Sequence, residues 1–152
     1  MDILAIDPAT KTGWAHSAGD SGVWDFAIKS DESSGMRLLR FRSKLREVYN
    51  GVGFGLIVFE SATVSSGAKA NMKSLKLITK LTSVIELFVE CREGIECKGY
   101  NLQSIKKHAG CRKKEEMLTA AIKKWPSVDV EDDNQADALW LLDLAQKDLG
   151  FT

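Results

Sequence analysis

Asp2-Ile3-Leu4-Ala5-Ile6-Asp7-Pro8 decides how this chain folds. Its unbroken apolar run is too short for a helix and has the composition of a strand covered on both faces. Pro8 has no amide with which to extend a central ladder, so the strand ends on the carboxylate of Asp7. A second stretch repeats this plan: Leu56-Ile57-Val58-Phe59-Glu60 is apolar until it, too, ends on an acid. In open α/β sheets the ligand site lies beyond the carboxyl ends of the strands, and Asp7 and Glu60 point there.

Working outward from the first stretch, residues 9–12 form a turn. Residues 13–17 and 22–28 read as two further strands joined by a hairpin loop at 18–21, so the chain opens with an antiparallel meander. Residues 36–49 switch to helical periodicity, with Leu38, Leu39, Arg42, Leu45 and Val48 recurring, and Gly51 and Gly53 end the helix. After the strand 56–60 comes a small-residue loop, 61–70. A long helix is predicted from about 71 to 91, with Leu77, Leu81, Val84, Ile85 and Phe88 on its apolar side. Lys69, Lys73, Lys76 and Lys80 are spaced by four, three and four, which lines them up on one face. Residues 95–100 read as a last strand, and 104–109 and 113–124 as helices. The final helix starts near Asp133 and runs through Ala136, Leu139, Leu142 and Ala145. The sum is an α/β fold: a mixed β-sheet, antiparallel meander plus parallel strands, flanked by helices.

At 152 residues one hydrophobic core suffices, so residues 1–152 are read as a single domain. Hydrophobic content of 44% with 28% charged residues is a globular mixture, not a disordered one. No segment has the length of a membrane span and nothing at the start reads as a secretion signal, which predicts a cytoplasmic protein. Cys91, Cys97 and Cys111 are odd in number and lack C-x-x-C spacing, so they are expected to be reduced thiols. Zero net charge argues against a protein that holds nucleic acid by bulk charge alone. The charge is nevertheless segregated: Lys106, Lys107, His108, Arg112, Lys113 and Lys114 make one basic segment. Glu131, Asp132, Asp133, Asp137 and Asp143 then make an acidic one. Cations for phosphate beside carboxylates for metal is the layout of a metal-dependent nuclease.

Such a site needs several hard oxygen ligands brought together from separate elements. Asp7 and Glu60 close strands, and Asp137 lies one turn into the last helix. Asp133 and Asn134, four and three residues earlier, share its face. Each has an ordinary alternative: Asp133 as helix N-cap, Asp7 as a turn residue, Glu60 as a solvated loop residue. His16, away from the acids, is read as structural, and His108, among lysines, as a phosphate contact. Trp14, Trp24, Trp125 and Trp140 are read as core or core-edge residues rather than platforms for bases.

In order along the chain stand Ile6-Asp7-Pro8 with Gly13-Trp14-Ala15, then Val58-Phe59-Glu60. Tyr100-Asn101-Leu102-Gln103-Ser104-Ile105-Lys106-Lys107 follows, with Gly110 and Lys113-Lys114-Glu115-Glu116-Met117, and finally Asp133-Asn134-Gln135-Ala136-Asp137-Ala138-Leu139. This ordered set resembles the RuvC family of Holliday junction resolvases across nearly the whole chain. The resemblance implies an RNase H-like fold, a homodimer, and paired symmetric nicks in four-way or other branched DNA. It implies that Asp7, Glu60 and Asp137, with Asp133, are the catalytic acids. These residues and Asn134 would hold two Mg²⁺ ions, with Mn²⁺ as a substitute. Lys106, Lys107, Lys113 and Lys114 match the basic segment that approaches the cleaved strand, and Thr12, Lys69, Lys73 and Lys76 join the expected DNA contacts. Met72 and Leu75 are expected at the two-fold interface.

Two places depart from the family pattern. Asn134 stands where a carboxylate or histidine is usual, which leaves Asp133 or Asn134 as the fourth ligand. Thr63 and Val64 stand where bacterial members carry an aromatic wedge, which implies a broader preference among branched substrates, and the chain is short for a cellular member, which fits a phage-type one. The competing readings are an RNase H-like nuclease on structured RNA, as in YqgF-type relatives, and a junction-binding module with an impaired metal site. An actin-like nucleotide-binding fold also opens on a strand-end Asp, but this chain has no second glycine-rich phosphate loop.

Overall fold

The computed structural model describes residues 1–62 and 72–150. The two apolar runs become adjacent parallel strands, β1 (Ile3–Asp7) and β4 (Leu56–Glu60). The meander supplies β2 (Lys11–His16) and β3 (Ser21–Asp25), and β5 (Glu96–Tyr100) lies beyond β4. The five strands run in the order β3-β2-β1-β4-β5, antiparallel through the meander and parallel from β1 to β5. This is the mixed sheet expected from the sequence.

Strand limits moved where local hydrogen bonding outweighed composition. β2 begins at Lys11 rather than at residue 13, because Lys11 and Thr12 already pair with Asp25 and Trp24. β3 stops at Asp25 rather than at 28. The Phe26 amide still donates to Thr10 O, but the Ala27 amide turns back onto Asp25 Oδ1 at 2.9 Å and ends the ladder.

Among the described residues five helices cover the sheet: α1 (Ser34–Gly51), α2 (Met72–Glu90), α3 (Leu102–Ala109), α4 (Lys114–Lys124) and α5 (Asp133–Asp148). On one face α1 and α2 pack through Phe41, Leu45, Leu81, Ile85 and Phe88 against Leu4, Ile6, Ile57 and Phe59. On the other, α3, α4 and α5 pack through Ile105, Met117, Ala121 and the apolar length of α5 against Ile3, Ala5 and Val58. The α1 stripe differs from the expected one. Leu39 is 45% exposed, while Phe41 is fully buried. Steps of three and four from Leu38 through Phe41 and Leu45 to Val48 follow the 3.6-residue period, and Leu39 falls off it.

The four tryptophans sit at the core and its edge, as read from the sequence. Trp14 stacks on Trp24 with centroids 5.3 Å apart, and Trp125 meets Trp140 edge-on at 4.8 Å. Among the described residues no helix is long and apolar enough to cross a membrane. Cys91, Cys97 and Cys111 are free thiols.

Candidate metal centre

Parallel pairing sets Ile6 opposite Phe59, and one step further along the same register brings Asp7 beside Glu60. The third acid arrives from the helical face. Asp132, not Asp133, is the N-cap of α5, accepting the Gln135 amide at 3.0 Å. Either aspartate of the pair satisfies the capping preference, so the sequence left the register open. Gln135 then clamps the entry: its side-chain nitrogen donates to Ser21 Oγ (3.0 Å) and Asp129 O (3.2 Å), and its oxygen accepts the Glu131 amide at 2.6 Å. Half a turn on, Asp137 faces the strand ends. Gly13 makes the close approach of α5 to β2 tolerable, because a Cβ there would lie 1.9 Å from Asn134 O.

Asp7, Glu60 and Asp137 each place one carboxylate oxygen within 4.8 Å of the other two. Asp7 and Asp137 are buried, at 7% and 3% exposure, and Asp137 Oδ1 is a buried oxygen with no hydrogen-bond partner. Three converging carboxylates with one orphaned oxygen fit a divalent cation, since without one they are crowded acids in a poorly solvated place. Their acidity shows this. Burial, then the charges of Glu60 and Asp137 and a hydrogen bond with Glu60, hold Asp7 well above the usual carboxylate range. Burial first, opposed by Lys114 and supported by Glu60 and Asp133, pushes Asp137 up to about 7.

Lys114, at the start of α4, stands out among the expected cations. Burial works to lower its pKa, but the charges of Asp137, Asp7, Asp133 and Glu60 outweigh this and raise it. Its ammonium lies 3.6 Å from Asp133 Oδ2. Asp133 thus neighbours the centre through Lys114 rather than joining the three-carboxylate cluster, and Asn134 is half-buried beside it on the first turn of α5. Lys106, on α3, is close enough for its charge to act on Asp137, whereas Lys107 and Lys113 are exposed and touch none of the acids. Lys73 and Lys76 lie elsewhere, in a cleft between α1 and α2. Lys69, Thr63 and Val64 fall outside the described residues.

Two expected contacts are corrected. Thr12 is fully buried, and its hydroxyl donates to Ala9 O at 2.6 Å and accepts from the Ala9 amide at 3.3 Å. It locks the turn after β1 and presents no side chain to DNA. His108 is not a phosphate contact either: its Nε2 bonds Asp143 Oδ2 at 2.7 Å, and Lys124 Nζ reaches the same oxygen at 3.0 Å. His16 is structural, as expected, with Nδ1 accepting the Ala18 amide and Nε2 donating to Gly53 O. Gln135 was not singled out as a site residue from the sequence. One of its partners, Ser21, lies across the fold, and only its place inside the acidic segment hinted at it.

Stability should report the crowded acids directly. Between about pH 4 and 7 the unfolded chain has ionised aspartates, while the folded chain still holds protons on Asp7 and Asp137. The native state then binds more protons, so unfolding free energy falls as pH rises, by up to about 1.4 kcal/mol per pH unit for each group. Urea unfolding in chelator is expected to show lower stability at pH 7.5 than at pH 5.5, and saturating Mg²⁺ to remove the difference. Stability that instead climbs steadily over this range in chelator would mean the acids do not meet.

No protein-family model matches the sequence, and no curated protein matches it. Solved structures do share its fold. Thermus thermophilus RuvC in complex with a Holliday junction substrate superposes with a TM-score of 0.73 at 15% identity, over 99% of this chain and 98% of that one. T. thermophilus RuvC alone gives 0.72 at 16% identity, over 99% and 98%. The yeast mitochondrial Holliday junction resolvase Ydc2 gives 0.64 at 12% identity, over 98% and 81%. The mixed five-stranded sheet with helices on both faces, with Asp7 and Glu60 at its carboxyl edge and Asp137 beside them on α5, has the RNase H-like fold of RuvC.

Proposed function

We propose that this chain is a divalent-metal-dependent endonuclease that resolves four-way DNA junctions. The observation that carries the reading is the convergence of Asp7, Glu60 and Asp137, with the unpartnered Oδ1 of Asp137, beside the Lys114 ammonium. A RuvC of the same fold has been solved with a Holliday junction, which supports branched DNA as the substrate class. The three acids would hold Mg²⁺ or Mn²⁺ in a two-ion site, completed by Asp133 or Asn134. When bound, the metals supply Lewis-acid activation of water and neutralise charge on the scissile phosphate.

The protein's own groups set the rest. The strand ends of β1 and β4 and the first turn of α5 hold the carboxylates in fixed relation, so little reorganisation is needed as negative charge develops. Packing under α5 keeps bulk water away from Asp137. Asp133 steers the Lys114 ammonium to the rim of the acids, where it offers a cation to the phosphate oxygens. A second copy of the chain would supply the matching nick in the opposite strand, and a two-fold dimer suits a two-fold junction. The reading includes a cytoplasmic setting in a bacterial or phage-infected cell.

Gel-resolved cleavage of a labelled four-way junction, a flap and an RNA stem at equal protein concentration tests this. Paired symmetric nicks confined to the junction are expected in Mg²⁺ or Mn²⁺. Preferential cutting of the RNA stem would replace the reading with an RNA nuclease, and no cutting of any substrate would remove the enzyme. Within the reading, Lys114→Gln is expected to slow single-turnover cleavage by about 10²–10³-fold with little change in junction affinity, the scale of losing one preorganised electrostatic donor. Lys114→Arg should recover part of the rate. A purely affinity-based defect would instead make Lys114 an ordinary phosphate contact.

A further inference from the structure

The face of the sheet opposite α5 carries a second concentration of charge. α1 and α2 run side by side in the same direction, both leaving the edge of the sheet where Asp7 and Glu60 end. Between them lie two clefts. The upper, of about 360 Å³, is lined by Thr10 from the turn after β1 and by Arg37, Lys73, Lys76 and Lys80. The lower, of about 410 Å³, continues between the later turns of the same helices and carries Arg42, Arg46 and Arg92 over Val84, Leu87 and Phe88. Among the described residues no carboxylate lines either cleft.

The chain has as many acids as bases, yet among the described residues none of these seven cations is in an ion pair. Their neighbours on α1, Arg40 and Lys44, are paired, with Glu32 and Glu47. Two of the seven are anchored through backbone oxygens: Arg37 Nε donates to Phe26 O at 2.9 Å, and Arg92 donates to Phe88 O at 3.1 Å while lying over the Phe88 ring. A run of unpaired, partly anchored cations along a furrow matches a polyanion with regularly spaced charge.

We propose that the α1–α2 furrow is a seat for the phosphate backbone of duplex DNA, carrying one arm of the substrate from the metal centre down the far face of the sheet. From Lys73 to Leu87 the α2 side of the furrow is about 21 Å long at the α-helical rise, which matches about six nucleotides of one strand at 3.4 Å each. Thr10 joins the furrow to the catalytic edge, since it follows Asp7 by three residues and lines the upper cleft. The inference rests on the junction-nuclease reading for its substrate, but binding can test it separately from cutting.

The experiment measures the affinity of the full chain for a four-way DNA junction in EDTA across a series of salt concentrations, comparing parent, Arg42→Gln/Arg46→Gln and Arg42→Lys/Arg46→Lys. Both arginines are exposed, so the variants should fold, and thermal melting checks this. The glutamine pair is expected to lower the slope of log affinity against log salt by about 1.8, at about 0.9 per lost phosphate contact, and the lysine pair to restore it. The rate at saturating junction should not change. An unaltered slope in a parent that binds and cuts would overturn the furrow and leave the nuclease standing. A lowered slope in a parent that cuts nothing in Mg²⁺ or Mn²⁺ would keep the furrow and sink the nuclease. A parent that binds no DNA would sink both.

Discussion

Asp7→Asn is expected to abolish metal-dependent strand cleavage, by at least about 10³-fold, while making the metal-free protein more stable. The first half follows from the ligand set. Asp7 is one of three carboxylates whose oxygens converge within 4.8 Å, and losing a charged ligand removes several kcal/mol of transition-state stabilisation. The second half follows from electrostatics. Asp7 is buried beside Glu60 and Asp137, and those neighbours oppose its ionisation. A neutral amide of the same shape relieves that opposition, which should raise stability at pH 7.5 in EDTA by about 1–2 kcal/mol, roughly 3–6 °C in Tm for a chain of this size. Single-turnover cleavage and thermal melting in EDTA check the two halves. Loss of activity with loss of stability would mean that Asp7 acts as a structural residue, and retained cleavage would remove it from the metal site.

Gly13→Ala should damage both folding and activity through a contact that involves no catalytic atom. Gly13 needs to be glycine for space rather than for its backbone angles. An added Cβ would meet Asn134 O at 1.9 Å, its carbonyl carbon at 2.2 Å and the Gln135 amide nitrogen at 2.7 Å. All three are backbone atoms of the first turn of α5, so no side-chain rotation offers relief. The helix must retreat, and Asp137 retreats with it. Overpacking against backbone lies at or above the upper end of the usual cost, about 3 kcal/mol, or roughly 10 °C in Tm. A displacement of about 1 Å at a catalytic group costs on the order of 10²-fold in rate. Melting and cleavage of the same variant are the measurements. A near-normal Tm would show that α5 is free to shift, and a normal rate at low temperature would show that Asp137 tolerates the shift.

These expectations differ in how far the sequence foretold them. Asp7 and Glu60 were legible because burial on both faces of a central strand writes an uninterrupted apolar run, and each run stops on its acid. Asp137 was legible from its place one turn into an apolar helix. The N-cap of α5 was not: Asp132 and Asp133 are equally good caps, and only the hydrogen bond from the Gln135 amide makes Asp132 the cap. Among the lysines, composition marked a basic segment but could not rank its members. Lys114 is set apart by the packing of α4 on α5, which brings it to Asp133 across 19 positions of sequence. Thr12 and His108 were misread for the same reason. Thr12 closes a turn through a bond to Ala9 O that composition does not announce, and the partner of His108 stands 35 residues away. The two faces of the sheet are not distinguishable in a one-dimensional charge pattern, so the sequence could not show that Lys73 and Lys76 line a cleft on the face opposite α5.

The dependence of the carboxylate centre on α5 also bears on how the protein comes into being. β1 and β4, with their acids, lie in the first sixty residues, but ten of the sixteen residues of α5 are buried, and the helix packs across β1, β2, β3 and β4 as well as α3 and α4. A nascent chain on the ribosome therefore carries two of its three acids long before it can bring them into a working arrangement. Until α5 emerges and docks, Asp7 and Glu60 have no third partner. Assembly of the three-carboxylate centre is therefore tied to the docking of α5, not to the folding of the strands that carry its first two acids.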